Sequence, residues 1–158
     1  MSIDKVKAYL APLGVADRIQ EFSVSSATVE LAAAALGIDG ARIAKSISLA
    51  SPDGFILVVC AGDVKIDNKK FKERFSIKPK MLSPDEALAL TGHAVGGVCP
   101  FALPEGVEVY LDESLKRFDT VFPAAGSSNS ALELSCDELY KFSGALGWVD
   151  VCKSRNAE

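Results

Sequence analysis

Apolar residues recur at helical spacing in four stretches of the chain. The first predicted helix begins at Ser2, carries apolar residues at every third or fourth position and ends at Pro12–Gly14. The other three begin at Thr28, Ser83 and Ser135, and each ends at a glycine (Gly37, Gly92 and Gly144). Ser83 and Ser135 are each followed three residues later by glutamate, the pattern of a capping box.

Alternating or continuous apolar runs between these helices predict about seven short strands. They cover residues 19–24, 44–50, 55–61, 107–112, 120–125, 131–135 and 148–152. The second and third flank the turn Ser-Pro-Asp-Gly and predict a hairpin. Helices and strands intermix without a regular βαβ rhythm. The pattern therefore predicts a single α+β domain over residues 1–158, with a mixed, curved sheet flanked by helices.

Charge is distributed unevenly along the 158 residues, whose net charge is −4. Seven of the 17 Lys and Arg lie between Lys65 and Lys80, against two acids, so this segment carries +5 and the remainder −9. Taken alone, the segment favours a solvated helix face, and the alternative is a local patch that faces phosphates. The acidic remainder argues against a protein that binds DNA over its whole surface.

The N-terminus lacks the apolar core of a signal peptide, and no apolar run reaches the length of a membrane span. We expect a cytoplasmic protein without a membrane partner. The four cysteines are widely spaced, contain no C-x-x-C pair and have one histidine beside them in the whole chain. They predict reduced, mostly buried thiols, with no metal site and no cofactor.

Three stretches could carry chemistry. Gly96–Pro100 places two adjacent glycines before a cysteine and a proline, which favours a rigid loop with accessible backbone N–H groups, or simply a tight connection. Lys45 lies near the start of a half-buried strand and is either a charge for a phosphate or sugar hydroxyl, or an edge-strand lysine. Gly126–Asn129 offers hydroxyl and amide groups, or is a polar hairpin loop.

Conventional catalytic sets have little support in the sequence. The one histidine, His93, lies six residues before Cys99, and a Cys–His hydrolase would need the two to meet in space. The position of His93 beside a helix end favours a surface histidine. No G-x-S-x-G, G-x-G-x-x-G or P-loop pattern occurs, and no carboxylate pair stands out.

Taken together, these stretches and their spacing resemble the YbaK/EbsC family of aminoacyl-tRNA deacylases, which is related to the editing domain of bacterial prolyl-tRNA synthetases. The resemblance covers essentially the whole chain. It implies an α+β fold whose mixed sheet curls into a barrel-like core. It also implies metal-independent trans-editing, in which a wrong amino acid is hydrolysed from a tRNA, usually tRNA(Pro). The implied partners are the acceptor end of the aminoacyl-tRNA and a prolyl-tRNA synthetase.

The resemblance also assigns roles to residues. Lys45 would lie beside the terminal ribose and phosphate, and Gly96 and Gly97 would act with it in catalysis through backbone groups. An aminoacyl ester is already activated, so the site must orient a water and stabilise an oxyanion, for which one donor contributes roughly 3–4 kcal/mol. The remaining pocket residues carried over are Thr28, Val98, Cys99, Pro100, Gly126, Ser127, Ser128 and Asn129.

Departures from the family pattern bear on the substrate. Ala131 stands where cysteine-specific relatives carry aspartate, and the last loop lacks the histidine of alanine-specific relatives. Cys99 stands where many relatives have serine. We expect removal of a small amino acid such as alanine, because editing sites exclude what is too large. The alternatives are a non-catalytic module that binds a tRNA end or nucleotide, an accessory protein of a synthetase, and a thiol-dependent hydrolase.

Overall fold

The computed structural model describes residues 2–94 and 96–155. Its helices are α1 (Ser2–Leu10), α2 (Val29–Leu36), α3 (Asn68–Phe75), α4 (Pro84–Thr91) and α5 (Cys136–Ser143). Its strands are β1 (Gln20–Glu21), β2 (Ile43–Ser51), β3 (Gly54–Ala61), β4 (Val64–Ile66), β5 (Glu108–Asp112), β6 (Thr120–Pro123), β7 (Ser130–Ala131), β8 (Leu134–Ser135), β9 (Gly147–Val149) and β10 (Cys152–Ser154). Four short 3₁₀ helices connect them, at Ala11–Leu13, Ala16–Arg18, Gly40–Arg42 and Glu113–Arg117.

Six strands form one mixed sheet in the order β8-β6-β2-β3-β5-β9. The hairpin of β2 and β3 is antiparallel along its whole length, from Ala44 opposite Ala61 to Ser51 opposite Gly54. The pairs β2–β6, β3–β5 and β5–β9 are parallel, and β6–β8 is antiparallel. Two small antiparallel pairs, β1–β7 and β4–β10, lie beside this sheet. The sheet curls into a half-barrel, which confirms the predicted α+β fold.

The predicted helix boundaries are confirmed because they depend on local capping groups. The Thr28 hydroxyl accepts a hydrogen bond from the Leu31 N–H at 3.2 Å and begins α2. Both capping boxes are formed, at Ser83 before α4 and at Ser135 before α5. Gly92 ends α4 with φ +79°, the left-handed conformation that glycine adopts without strain.

Several predicted strands are wrong in extent. Of residues 19–24, only β1 pairs, and the predicted 131–135 strand divides into β7 and β8. The predicted 148–152 strand also divides, because the Val151 N–H donates to the Asp112 carboxylate at 2.9 Å and its carbonyl accepts from the Asp67 N–H at 2.8 Å. These bonds direct β10 away from β9 towards β4, a strand that the hydrophobic pattern did not predict.

The apolar core surrounds β3, whose residues 55–61 are all buried because both faces of the strand are covered. A smaller cluster forms where Ala32 of α2 packs against Ile43 and Phe122. This second cluster fixes the start of α2 over the first residues of β2. None of the helices within the described ranges combines the length and apolarity needed to cross a membrane.

Candidate active site

A cavity of about 340 Å³ opens between β2, the start of α2, the start of α4 and the loop at Gly96. Its wall is mostly apolar, as in small-molecule sites generally. The residues that bring side-chain polar groups to it are Ser26, Thr28, Lys45, Ser46, Ser48 and Ser130, and Gly96 and Val98 bring the backbone of the glycine loop. Among its described lining residues, Lys45 carries the one ionisable side chain.

The two predicted glycine loops meet beside this cavity. A Cβ at Gly96 would lie 2.8 Å from the Cβ of Ala27, and a Cβ at Gly97 would lie 2.8 Å from the backbone nitrogen of Ser127. Gly96 also has φ +89°, which disfavours any other residue. The close approach of the loops requires glycine at both positions.

Gly97 differs from its neighbours in its hydrogen bonding. Its N–H donates to the Ala94 carbonyl at 2.9 Å, which closes a turn. Within residues 2–94 and 96–155, the N–H groups of Gly96 and Val98 have no hydrogen-bond partner. Gly96 and Val98 therefore each bring a free backbone donor to the cavity.

The loop at Gly126–Asn129 supports the cavity from outside. The Ser128 carbonyl accepts from the Ser26 N–H at 2.6 Å, and the Asn129 side-chain amide donates to the Phe22 carbonyl at 2.9 Å. The Ser127 hydroxyl lies 2.6 Å from that of Ser130. These bonds hold the segment before α2 in place. Gly126, Ser127, Ser128 and Asn129 lie next to the cavity without lining it.

Lys45 is half-buried on β2, and its Nζ donates to the Val64 carbonyl. The neighbouring carboxylate of Asp63 is bound by Arg117, whose hydrogen bond, helped by the nearby Lys45 charge, lowers the pKa of Asp63. The lysine therefore lies at the cavity wall with its charge held by a backbone acceptor, a contact that a bound anion can replace.

Four hydroxyl-bearing residues of the cavity, Ser26, Ser46, Ser48 and Ser130, were absent from the sequence-based prediction. The Ser46 Oγ is buried without a hydrogen-bond partner among the described residues. Such an unsatisfied polar group costs about 1–3 kcal/mol. A signal for it exists in the sequence, since Ser46 and Ser48 alternate with apolar residues along β2.

The expectation that His93 lies at the surface is wrong, because its side chain is completely buried. Its Nε2–H donates to the Phe101 carbonyl at 2.8 Å, and its Nδ1 accepts from the Ser2 hydroxyl. Burial lowers the pKa of His93, so the ring is neutral. The surface prediction failed because Ser2 lies 91 residues away in sequence, where no local pattern reveals it.

Cys99 and His93 do meet, with the Cys99 Sγ 3.6 Å from the His93 Nε2. Nε2 already carries the proton that it donates to Phe101, so it cannot accept one from the thiol. Burial raises the pKa of Cys99 to about 12, and the side chain has no exposed surface. Neither Cys99 nor Pro100 lines the cavity. The geometry thus removes the basis of a thiol-dependent hydrolase at this pair.

The other thiols follow the prediction. All four cysteines are free: Cys60, Cys99 and Cys152 are buried, and Cys136 is half-buried. In residues 2–94 and 96–155, no group of three or more His, Cys, Asp and Glu side chains is arranged to hold a metal ion.

The basic segment is divided between two places. Lys69 and Lys72 lie exposed on α3, a helix capped by Asp67. Lys78 and Lys80 are also exposed, but they precede Met81, which lines the cavity. The second pair therefore belongs to the segment that leads into the cavity wall.

Comparison with known proteins identifies the family of this chain. The family described as "Aminoacyl-tRNA editing domain" matches residues 24–142. The "Uncharacterized protein YwhH" of Bacillus subtilis (strain 168) is 53% identical over 154 residues, covering 97% of this chain and 98% of that protein. A "Proline--tRNA ligase" of Bacillus licheniformis is 29% identical over 104 residues, 65% of this chain and 18% of the ligase.

Solved structures agree with the sequence relatives. One described as "a putative trans-editing enzyme for prolyl tRNA synthetase" has a TM-score of 0.87 and 27% identity, covering 97% of this chain and 98% of its own. Another, "hypothetical protein APE2540", has a TM-score of 0.84 and 31% identity, covering 94% of this chain and 99% of its own. Family match, sequence relatives and fold agree, and the chain belongs to the YbaK-like family of aminoacyl-tRNA editing domains.

Proposed function

We propose that this protein is a deacylase that hydrolyses the ester bond of tRNA(Pro) mischarged with a small amino acid such as alanine. The observation that carries the proposal is the cavity itself. It joins one lysine and two free backbone N–H groups, of Gly96 and Val98, inside a mostly apolar wall. The proline–tRNA ligase relative supports tRNA(Pro) as the tRNA and a prolyl-tRNA synthetase as a partner.

In the proposed reaction, water adds to the carbonyl carbon of the ester and the carbonyl oxygen becomes an oxyanion. The N–H groups of Gly96 and Val98 donate to that oxyanion. Each donor that is fixed before the reaction contributes roughly 3–4 kcal/mol of transition-state stabilisation. The bond to the ribose oxygen then breaks, that oxygen takes a proton, and free amino acid and tRNA leave. Gly97 acts by shaping the loop, since its own N–H is already bonded to Ala94.

Lys45 positions the acceptor end in this proposal. In the free protein its Nζ donates to the Val64 carbonyl. The lysine gives up this hydrogen bond when it binds the ribose or phosphate of the terminal adenosine. No carboxylate or imidazole is among the described lining residues. A ribose hydroxyl of the substrate therefore orients the attacking water.

Selectivity for a small amino acid follows from the close-packed wall. The loop at Gly96 packs closely against Ala27 and Ser128, since a Cβ added at Gly96 would lie 2.8 Å from the Cβ of Ala27 and 3.3 Å from that of Ser128. A rigid pocket of this kind admits alanyl and excludes the bulkier prolyl ring. Cognate prolyl-tRNA(Pro) is spared.

The test is hydrolysis of tRNA(Pro) charged separately with alanine, cysteine, serine, threonine and proline, with and without a chelator. Release of one small amino acid, with proline retained and no chelator effect, is the expected result. Loss of activity with the chelator would overturn metal independence alone. Tight binding of the charged tRNA without release of any amino acid would favour the non-catalytic module, an alternative that the missing carboxylate and imidazole support.

A further inference from the structure

The cavity exposes one free edge of the main sheet. On that side of β2, β6 pairs only with Ile43 and Ala44. Further along the same edge, the Leu82 N–H donates to the Ser48 carbonyl at 3.1 Å and the Ala50 N–H donates to the Lys80 carbonyl at 2.8 Å. Among the described residues, no strand pairs with β2 between these two neighbours.

The gap lies at Ser46. Successive residues of a strand direct their backbone groups to opposite edges, so Ser46 faces the same edge as Ser48 and Ala50. Leu49 is opposite Met81, and the same antiparallel register would place residue 84 opposite Ser46. Residue 84 is Pro84, which has no N–H to donate, and it is the first residue of α4. The pairing therefore stops one step before Ser46.

Three polar groups of Ser46 are left together at the cavity. Its carbonyl and N–H face the open edge, and its buried Oγ has no hydrogen-bond partner among the described residues. Pro84 and Ala124 border the gap, and neither supplies a side-chain polar group. A ligand at this edge meets two acceptors of Ser46, the carbonyl oxygen and Oγ. The other hydroxyls that line the cavity are those of Ser26, Thr28, Ser48 and Ser130.

We propose that Ser46 recognises the α-ammonium group of the substrate's amino acid. The inference rests on the proposed function and extends it. An aminoacyl ester carries one cation next to the scissile carbonyl, and that cation needs acceptors when it leaves water. No carboxylate is available among the described lining residues, so the carbonyl and Oγ of Ser46 accept from the ammonium. Lys45 does not compete, since in the proposed complex its Nζ binds the ribose or phosphate of the terminal adenosine.

The orientation of the substrate follows from this contact. With the ammonium at Ser46, the ester carbonyl is available to the free N–H groups of Gly96 and Val98, which line the same cavity. The amino-acid side chain then contacts the apolar wall. An acyl group that lacks the ammonium loses the contact to Ser46 and keeps the others.

The experiment compares binding of two non-hydrolysable probes by calorimetry at pH 6.5, where an α-amino group is protonated. The probes are 3′-(L-alanylamino)-3′-deoxyadenosine and its propionyl counterpart, which differ only in the amino group. We expect the alanyl probe to bind roughly tenfold or more tightly than the propionyl probe, because a hydrogen bond to a charged group contributes enough free energy for such a ratio. Equal binding, or no binding of either probe, would overturn the role of Ser46.

Variants assign the difference to this residue. Ser46→Ala should weaken binding of the alanyl probe several-fold and leave the propionyl probe within about twofold, because one of two acceptors is lost. Ser46→Thr keeps the hydroxyl and should bind the alanyl probe more tightly than the propionyl probe, as the unmodified protein does. Ser51→Ala, in the same strand but away from the cavity, is the matched control. An unchanged preference in Ser46→Ala would show that Oγ does not bind the ammonium.

The two proposals fail separately. A protein that prefers the alanyl probe but does not release alanine from tRNA(Pro) contradicts the deacylase and keeps the ammonium site. A protein that releases alanine but binds both probes equally contradicts the ammonium site and keeps the deacylase.

Discussion

The cavity and the His93–Cys99 pair both bring polar groups together, and they differ in whether those groups are free. His93 and Cys99 have no exposed surface, and both ring nitrogens of His93 are already bonded. At the cavity, the N–H of Gly96 and the hydroxyl of Ser46 have no partner among the described residues. Residue types that usually carry catalysis are structural in this fold, and backbone groups at the cavity are available for chemistry.

The difference has a physical origin. The buried histidine joins the start of α1 to the segment after the glycine loop, through Ser2 on one side and Phe101 on the other. A group that holds two parts of a fold together cannot change its protonation without weakening that connection. Fixed backbone donors carry no proton that must leave, so they serve an activated ester without this conflict.

The largest effect is expected from Lys45→Ala. In the proposed mechanism Lys45 positions the acceptor end, so its loss should lower the rate of alanyl-tRNA(Pro) hydrolysis by about 10²-fold or more, as for other positioned electrostatic groups. The free energy of unfolding should change by only about 1 kcal/mol, since one hydrogen bond is lost. Single-turnover deacylation and urea unfolding measure the two effects. Lys69→Ala, which removes an exposed lysine of α3, is the control, and an equal loss of rate in both variants would contradict a specific role.

Gly96→Ala should distinguish close packing from simple backbone strain. The new Cβ adds a contact at 2.8 Å to a φ of +89°. The cost of overpacking adds to that of the left-handed conformation, about 2–4 kcal/mol in all. Gly106→Ala has φ +86° but open space around it and should cost about 1–2 kcal/mol. Urea unfolding compares the two, and equal destabilisation would mean that the loops at Gly96 and Ala27 are not closely packed.

Charge reversal tests which part of the basic segment faces the tRNA. The pair Lys78→Glu and Lys80→Glu, in the segment that leads into Met81 at the cavity, should raise KM several-fold with kcat unchanged and reduce the salt dependence of binding. Each lost phosphate contact lowers the slope of log K against log salt by about 0.7–0.9. The matched pair on α3, Lys69→Glu and Lys72→Glu, should have the smaller effect. The reverse order would place the acceptor stem on α3.

A smaller effect concerns stability and pH. Burial lowers the pKa of folded His93, so the unfolded chain binds the proton more readily. Stability is therefore full above the unfolded pKa of about 6.5 and is lost as the pH falls below it. His93→Gln keeps a donor for the Phe101 carbonyl and does not titrate. Thermal unfolding between pH 7.5 and 5 should show a weaker pH dependence in this variant, and an identical profile would contradict a buried, neutral histidine.

Features set by neighbouring residues could be predicted from the sequence. Thr28, Ser83 and Ser135 cap helices through bonds that span three residues, and the β2–β3 hairpin follows from its turn. The sequence also singled out Lys45 and Gly96, which the fold brings to one cavity, and their roles there stay a prediction.

Features set by distant contacts could not be predicted. The burial of His93 depends on Ser2, and the open edge at Ser46 depends on the register of a segment more than 30 residues further along the chain, ending at Pro84. In both cases the residues adjacent in sequence indicate a different environment. They indicate a helix end for His93 and an ordinary paired strand for Ser46. The chemistry of the cavity depends on which backbone groups remain unpaired, and this is a property of the assembled sheet.

Whether hydrolysis uses the cavity or the buried thiol is decided by the rate at which Cys99→Ser releases alanine from alanyl-tRNA(Pro), measured against the unmodified protein. The substituted hydroxyl keeps a donor for the Phe101 carbonyl and does not line the cavity. We expect a rate within about threefold of the unmodified protein, because the proposed mechanism uses Lys45 and the backbone at Gly96. Loss of hydrolysis in a protein that is still folded would place the chemistry at the buried thiol and contradict hydrolysis by backbone donors.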